Sequence, residues 1–111
     1  MVAAAYEFLR TTPPFKRWRL PDAEAIEFNV LRISHLQAQH QRYHRTRNHV
    51  ITVSELRVGH TLTLLGAVAH EMIHLYQDER GTETKGAEHN AEFQRLAKLV
   101  CRYHGFDPKA F

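Results

Sequence analysis

The chain holds a single cysteine, Cys101, so no disulfide can form within it and no cysteine-rich zinc module can be built from it. Such sparing use of thiols suits a reducing cytosol, and a cytoplasmic or nucleoid-associated location is expected. Proline and glycine are few, 4 and 5 among 111 residues, and neither a low-complexity tract nor an internal repeat is present. One domain over residues 1–111, without a zinc ribbon, is the expectation. No basic leader precedes the apolar residues at the N-terminus, which excludes a secretory signal. The apolar stretch 62–73 is too short and too interrupted to span a bilayer, so no membrane partner is expected. Neither sign of charge dominates. Lys plus Arg number 15 against 12 for Asp plus Glu, a net +3 that permits contact with a polyanion without requiring it.

Hydrophobic residues make up 43% of the chain, enough for a modest core. Residues 3–10 read as a short helix ended by Thr12-Pro13-Pro14, because the residue before a proline is pushed out of the helical region. The segment 15–20 mixes Phe15 and Trp18 with Lys16, Arg17 and Arg19. It reads as a connector whose aromatics plug the core while its cations stay wet, or as a contact to nucleic acid. Ile26, Phe28 and Val30 alternate with Glu27, Asn29 and Leu31, the period of a strand. A weaker strand pattern at 36–43 puts Leu36, Ala38 and His40 on one side. Residues 42–49 are the most basic segment and fall where the connection to the next strand belongs. Val50, Ile51, Thr52 and Val53 form the clearest strand, being β-branched throughout. A helix from about 60 to 77, a polar loop over 78–87 and a last helix from about 88 to Gly105 complete the chain. The last helix carries the stripe Phe93, Leu96, Ala97, Val100 and Tyr103, with Cys101 packing beside it.

The penultimate helix contains His70-Glu71-Met72-Ile73-His74. In an α-helix the two histidines stand one turn apart on one face, and imidazoles so spaced can bind one zinc ion. Glu71 lies about 100° round the helix from His70, close enough to take a proton from a water without itself becoming a ligand. Thr63, Gly66 and Ala67 share the histidine face and are small, leaving room for a metal and a substrate. The opposite face carries Leu62, Leu65, Ala69, Met72, Ile73 and Tyr76, so the helix is expected to be buried. Catalytic zinc takes three protein ligands and leaves a fourth position open. His89, four residues before Phe93, is the third-ligand candidate through the core-facing stripe of the last helix; Glu88 and Glu92 are the fallbacks. No residue is assigned to oxyanion stabilisation: His60, Tyr76, Tyr103 and His104 are candidates, but each reads rather as a structural residue. The metzincin continuation is excluded, since Gln77 stands at its glycine position and Arg80 at its third histidine.

His70-Glu71-Met72-Ile73-His74-Leu75-Tyr76-Gln77, a polar loop, then His89-Asn90-Ala91-Glu92-Phe93 resembles the SprT-like metalloprotease domain also found in Spartan proteases. In that family the third zinc histidine opens an H-G-x-E-F context, and Asn90 stands here where glycine is usual. The resemblance covers roughly residues 48–108. It implies a minimal zincin-like α+β domain, with a small antiparallel or mixed sheet of about three strands packed on the HExxH helix and a C-terminal helix. It also implies a Zn²⁺ metallopeptidase with His70, His74 and His89 as ligands and Glu71 as general base, cleaving protein or peptide substrates that include proteins crosslinked to DNA. Single-stranded DNA held through Arg42, Arg45 and Arg47 is the partner expectation from the basic segment. A nucleic-acid-binding zinc protein without peptidase activity is the rival reading.

Overall fold

The computed structural model describes residues 2–32, 37–42, 48–54 and 61–111. Among the described residues the fold is α+β: three α-helices and a small three-stranded mixed sheet. Helix α1 spans Val2–Arg10 and buries Val2, Ala5, Tyr6 and Leu9, a spacing that puts all four on one face. Phe15 follows, fully buried. Trp18 stacks on Tyr76 with ring centroids 4.4 Å apart, while Lys16, Arg17 and Arg19 remain exposed. The aromatics of segment 15–20 are therefore packing groups.

Strand β1 is Ile26–Leu31, β2 is Ala38–Arg42 and β3 is His49–Ser54. The spatial order is β1-β3-β2, with β1 parallel and β2 antiparallel to the central β3. All six residues of β3 are buried, which explains its unbroken β-branched run: a strand covered on both faces has no use for alternation. On β2 the alternation survives, with Ala38, His40 and Arg42 turned inward and Gln39 and Gln41 outward. At the far end of β1 the expected inward side fails, since Val30 is exposed. Leu36 and residues 43–47 lie outside the described residues.

Helix α2, Thr61–Arg80, packs across α1, the sheet and the last helix, so it occupies the middle of the molecule. Leu64, Val68, Ala69, Met72, Ile73 and Leu75 are buried along it, but Leu62, expected on the buried side, is exposed at 64%. The helix runs one turn past the expected end at Gln77. Helix α3 is Ala91–His104, shorter at its start than the pattern suggested, because Asn90 caps it there. Phe93, Leu96, Ala97 and Val100 are buried and Cys101 beside them also, whereas Tyr103 is exposed. Gly105 adopts φ 75° as the C-cap, and its N–H donates to the Cys101 carbonyl at 2.8 Å. Among the described residues, no helix is long and apolar enough to cross a membrane.

Candidate metal centre

His70 and His74 project from one side of α2, their ring centroids 5.1 Å apart. His89 joins them from the loop between α2 and α3, and one nitrogen from each of the three rings lies within 4.8 Å of the other two. His89 thus arrives, but not by the route its spacing suggested. It precedes the cap residue Asn90 and belongs to no helix, so it shares no helical stripe with Phe93. It meets Phe93 instead by stacking on it, with centroids 4.4 Å apart and planes 17° apart. His74 also stacks on Phe93, at 4.6 Å, and His70 meets the same ring edgewise at 5.0 Å. One phenyl ring therefore supports all three imidazoles.

The protonation pattern favours a cation. His70 Nδ1 lies 2.8 Å from the Phe111 carbonyl oxygen, which can only accept, so Nδ1 carries the hydrogen and Nε2 presents a lone pair. His70 Nε2 faces His89 Nε2 at 3.2 Å. Two nitrogens bound to one tetrahedral zinc at about 2.0–2.1 Å would stand roughly 3.3 Å apart. A backbone carbonyl behind a ligating imidazole is also the usual outer-shell support of a metal site. Burial and the neighbouring imidazoles lower the pKa of His70 and of His74 to about 4, so both rings are neutral, the form that ligates, at neutral pH.

Glu71 is buried at 7% exposure, and that burial raises its pKa to about 7, opposed by a hydrogen bond from the backbone of His40 on β2. Glu71 and His70 both line a cleft of about 530 Å³. Ala38, Thr63, Gly66, Ala67 and Phe111 form part of its wall. The small residues on the histidine face therefore border open space beside His70, as their sizes suggest.

The loop carrying His89 is fastened by two residues that pattern reasoning assigned no role. Gln77 is fully buried, and its Nε2 donates to Asn90 Oδ1 at 3.0 Å and to Glu92 Oε1 at 2.9 Å. Asn90 Oδ1 also accepts from the Phe93 backbone N–H at 2.9 Å, while its Nδ2 donates to the Thr82 carbonyl and to Thr84 Oγ1. Gln77 continues the face of His74 by one turn, and an Asn just ahead of an apolar-periodic run is a cap signal. Both signals were in the sequence. Their joint effect, locking the residue next to His89, was not.

The fallback ligands are otherwise engaged or displaced: Glu92 accepts from Gln77, and Glu88 is exposed and outside the imidazole group. Among the oxyanion candidates, Tyr76 stacks on Trp18, Tyr103 is exposed and His104 Nε2 lies 3.1 Å from Thr12 Oγ1. His60 falls outside the described residues, as do Arg45 and Arg47. Arg42 forms an ion pair with Asp78 at 3.5 Å. A second group with the chemistry of a metal site, His40, His49 and Asp78, lies where β2 and β3 meet the end of α2. The chain therefore contains His and His/Asp groups able to hold a metal ion.

No family model and no curated protein matches the chain.

Proposed function

We propose that the chain is a zinc-dependent metallopeptidase of the zincin-like, SprT-like kind, with His70, His74 and His89 as the ligands and Glu71 as the general base. The observation that carries this reading is the convergence of three imidazole nitrogens within 4.8 Å at the edge of a cleft that Glu71 also lines. The donor set fits Zn²⁺, since neutral imidazoles at this separation suit a tetrahedral ion, and three ligands leave a position open. When bound, the ion would polarise a scissile carbonyl and acidify a water. The chain's own residues do the rest. The Phe111 carbonyl keeps the His70 hydrogen on Nδ1, and Phe93 holds the three rings in place. Glu71, with a pKa near neutrality in a water-poor position, is suited to take a proton from the attacking water and return it to the leaving amine. The cleft beside it would take an extended peptide, with its wall of small side chains admitting the backbone closely.

The test is digestion of casein or histone by the purified zinc-loaded protein, with and without chelator and DNA. Cleavage abolished by chelator and restored by zinc is the expected outcome. Zinc-loaded protein that cuts neither substrate under any of these conditions, while still holding zinc through His89, would favour the rival reading of a binding protein.

A further inference from the structure

Nine residues are histidine, and among the described residues three of them form the centre above. Two others meet on the sheet. In the antiparallel pairing of β2 with β3, His40 faces Ile51 and Arg42 faces His49. His40 and His49 are therefore diagonal neighbours on one face, close enough for side chains to touch. His40 Nε2 lies 2.8 Å from His49 Nδ1. The third member comes from α2. Residues 70, 74 and 78 step along that helix by one turn each, and 40° round it per step, which carries the stripe from the cleft toward the sheet. Asp78 Oδ2 lies 3.8 Å from His49 Nδ1 and 4.0 Å from His40 Nε2. Both imidazole side chains are nearly sealed from solvent, at 5% and 4% exposure.

We propose that His40, His49 and Asp78 form a second divalent-cation site, of the zinc class, that staples β2 and β3 to the C-terminal end of α2.

Three features support a cation over a plain hydrogen-bonded pair. The first is outer-shell support: His49 Nε2 lies 2.9 Å from Glu79 Oε1, so the ring's hydrogen is held on the far nitrogen and Nδ1 presents its lone pair inward. The second is charge placement. Asp78 and Glu79 occupy the last turn of α2, where the helix dipole disfavours carboxylates, a local cost that a cation would offset. The third is the division of labour on Asp78: Oδ1 faces Arg42, leaving Oδ2 turned to the two imidazoles. Binding requires the one hydrogen shared between His40 and His49 to pass from His40 Nε2 to its Nδ1, so that both rings stay neutral and each turns a lone pair to the cation. The two nitrogens must then part from 2.8 Å to roughly the 3.3 Å edge of a tetrahedron. Two nitrogens and a carboxylate oxygen select zinc or cobalt over calcium or magnesium. The consequence reaches the cleft, because the backbone of His40 bonds Glu71 and Ala38 of the same strand lines the wall. A cation here would set the position of that strand.

The test is a metal count on the whole chain after dialysis against zinc and removal of loosely held ions, with cobalt(II) titration followed by visible absorption as the second measurement. Wild type is expected to bind two equivalents. Asp78→Asn and His40→Gln are each expected to bind one, as is His89→Ala, and the His40→Gln/His89→Ala double variant none. Thermal unfolding run alongside identifies any variant that has not folded, and the wild-type cobalt titration needs no variant at all. A single equivalent in wild type that vanishes in His89→Ala overturns the proposal, and so do two equivalents surviving in folded Asp78→Asn and His40→Gln. A single equivalent kept by His89→Ala and lost by Asp78→Asn would support this site while refuting the peptidase centre.

Discussion

Glu71 is the residue on which opposite demands meet. A carboxylate buried to 7% exposure is costly to ionise, and its pKa stands at about 7 against an ordinary 4.5. In the metal-free protein the folded state thus binds its proton more tightly than the unfolded chain. The stability this contributes is complete below the unfolded value of 4.5 and is lost as pH rises through about 7. The displacement is worth roughly 3 kcal/mol, so Glu71→Gln should raise metal-free stability at pH 8 by up to about that amount. Urea unfolding of both proteins in chelator at pH 8 reads this. The same substitution should leave zinc content unchanged and lower peptide cleavage by about 10²–10⁴-fold. Wild-type cleavage rates in Glu71→Gln would remove the carboxylate from the chemistry.

The buried histidines act in the other direction. Burial lowers His70 and His74 to about 4 and His40 to about 3 from an ordinary 6.5. A depressed folded value means that the unfolded chain takes up protons first as pH falls. Their contribution is complete above 6.5 and is lost progressively toward about 4 for His70 and His74 and about 3 for His40. Three such groups outweigh the single opposing carboxylate, so the melting temperature of metal-free protein should fall steadily from pH 6.5 to pH 4.5. A melting temperature that stays flat over that window would mean that these rings are solvated.

At the scale of elements, the centre depends on how two helices are joined. Helix α2 presents two histidines by its own periodicity, which any straight helix would do. The third histidine needs a turn of fixed shape. Gly81 adopts φ 67° just past the helix end, and Gln77 and Asn90 tie the two ends of the loop together. Asn90→Ala should cost about 1 kcal/mol through the lost cap, with more added because a buried amide loses a partner. It should also weaken zinc binding, read by competition with a chromophoric chelator. Asn90→Gly keeps a residue tolerated at a helix N-cap, yet it removes the same side-chain bonds and should weaken zinc binding similarly. Phe93→Ala removes the ring under all three imidazoles. It should cost about 3–5 kcal/mol of stability and reduce zinc affinity about 10–100-fold, with Phe93→Leu intermediate in both.

For the molecule as a whole, a metal that binds only the folded state stabilises it by mass action. At a hundredfold excess over Kd, one site contributes about 2.7 kcal/mol. For a domain of this size that corresponds to a melting temperature about 10 °C or more above the chelated protein. Scanning calorimetry with and without zinc measures it, and His89→Ala should lose much of the difference. The basic segment offers a separate expectation at this scale. Arg42 is already paired with Asp78, so any phosphate contact falls chiefly to the neighbouring cations. Arg45→Ala/Arg47→Ala protein should release single-stranded DNA at lower salt than wild type. Equal salt dependence for the two proteins would assign those arginines to the solvated surface.

The sequence by itself determined the local chemistry: the pair of histidines one turn apart on α2, the β-branched strand, the amphipathic last helix and its glycine stop. These are properties of neighbours within a turn or a pleat, and periodicity carries them without reference to the rest of the chain. Only the tertiary structure decided the parallel partner of β3, the place of His89 outside the helix, and the meeting of His40, His49 and Asp78. Each of those depends on how separate segments close around α2. That closure is set by the summed packing of a core drawn from the whole chain, and no single stretch of sequence encodes it.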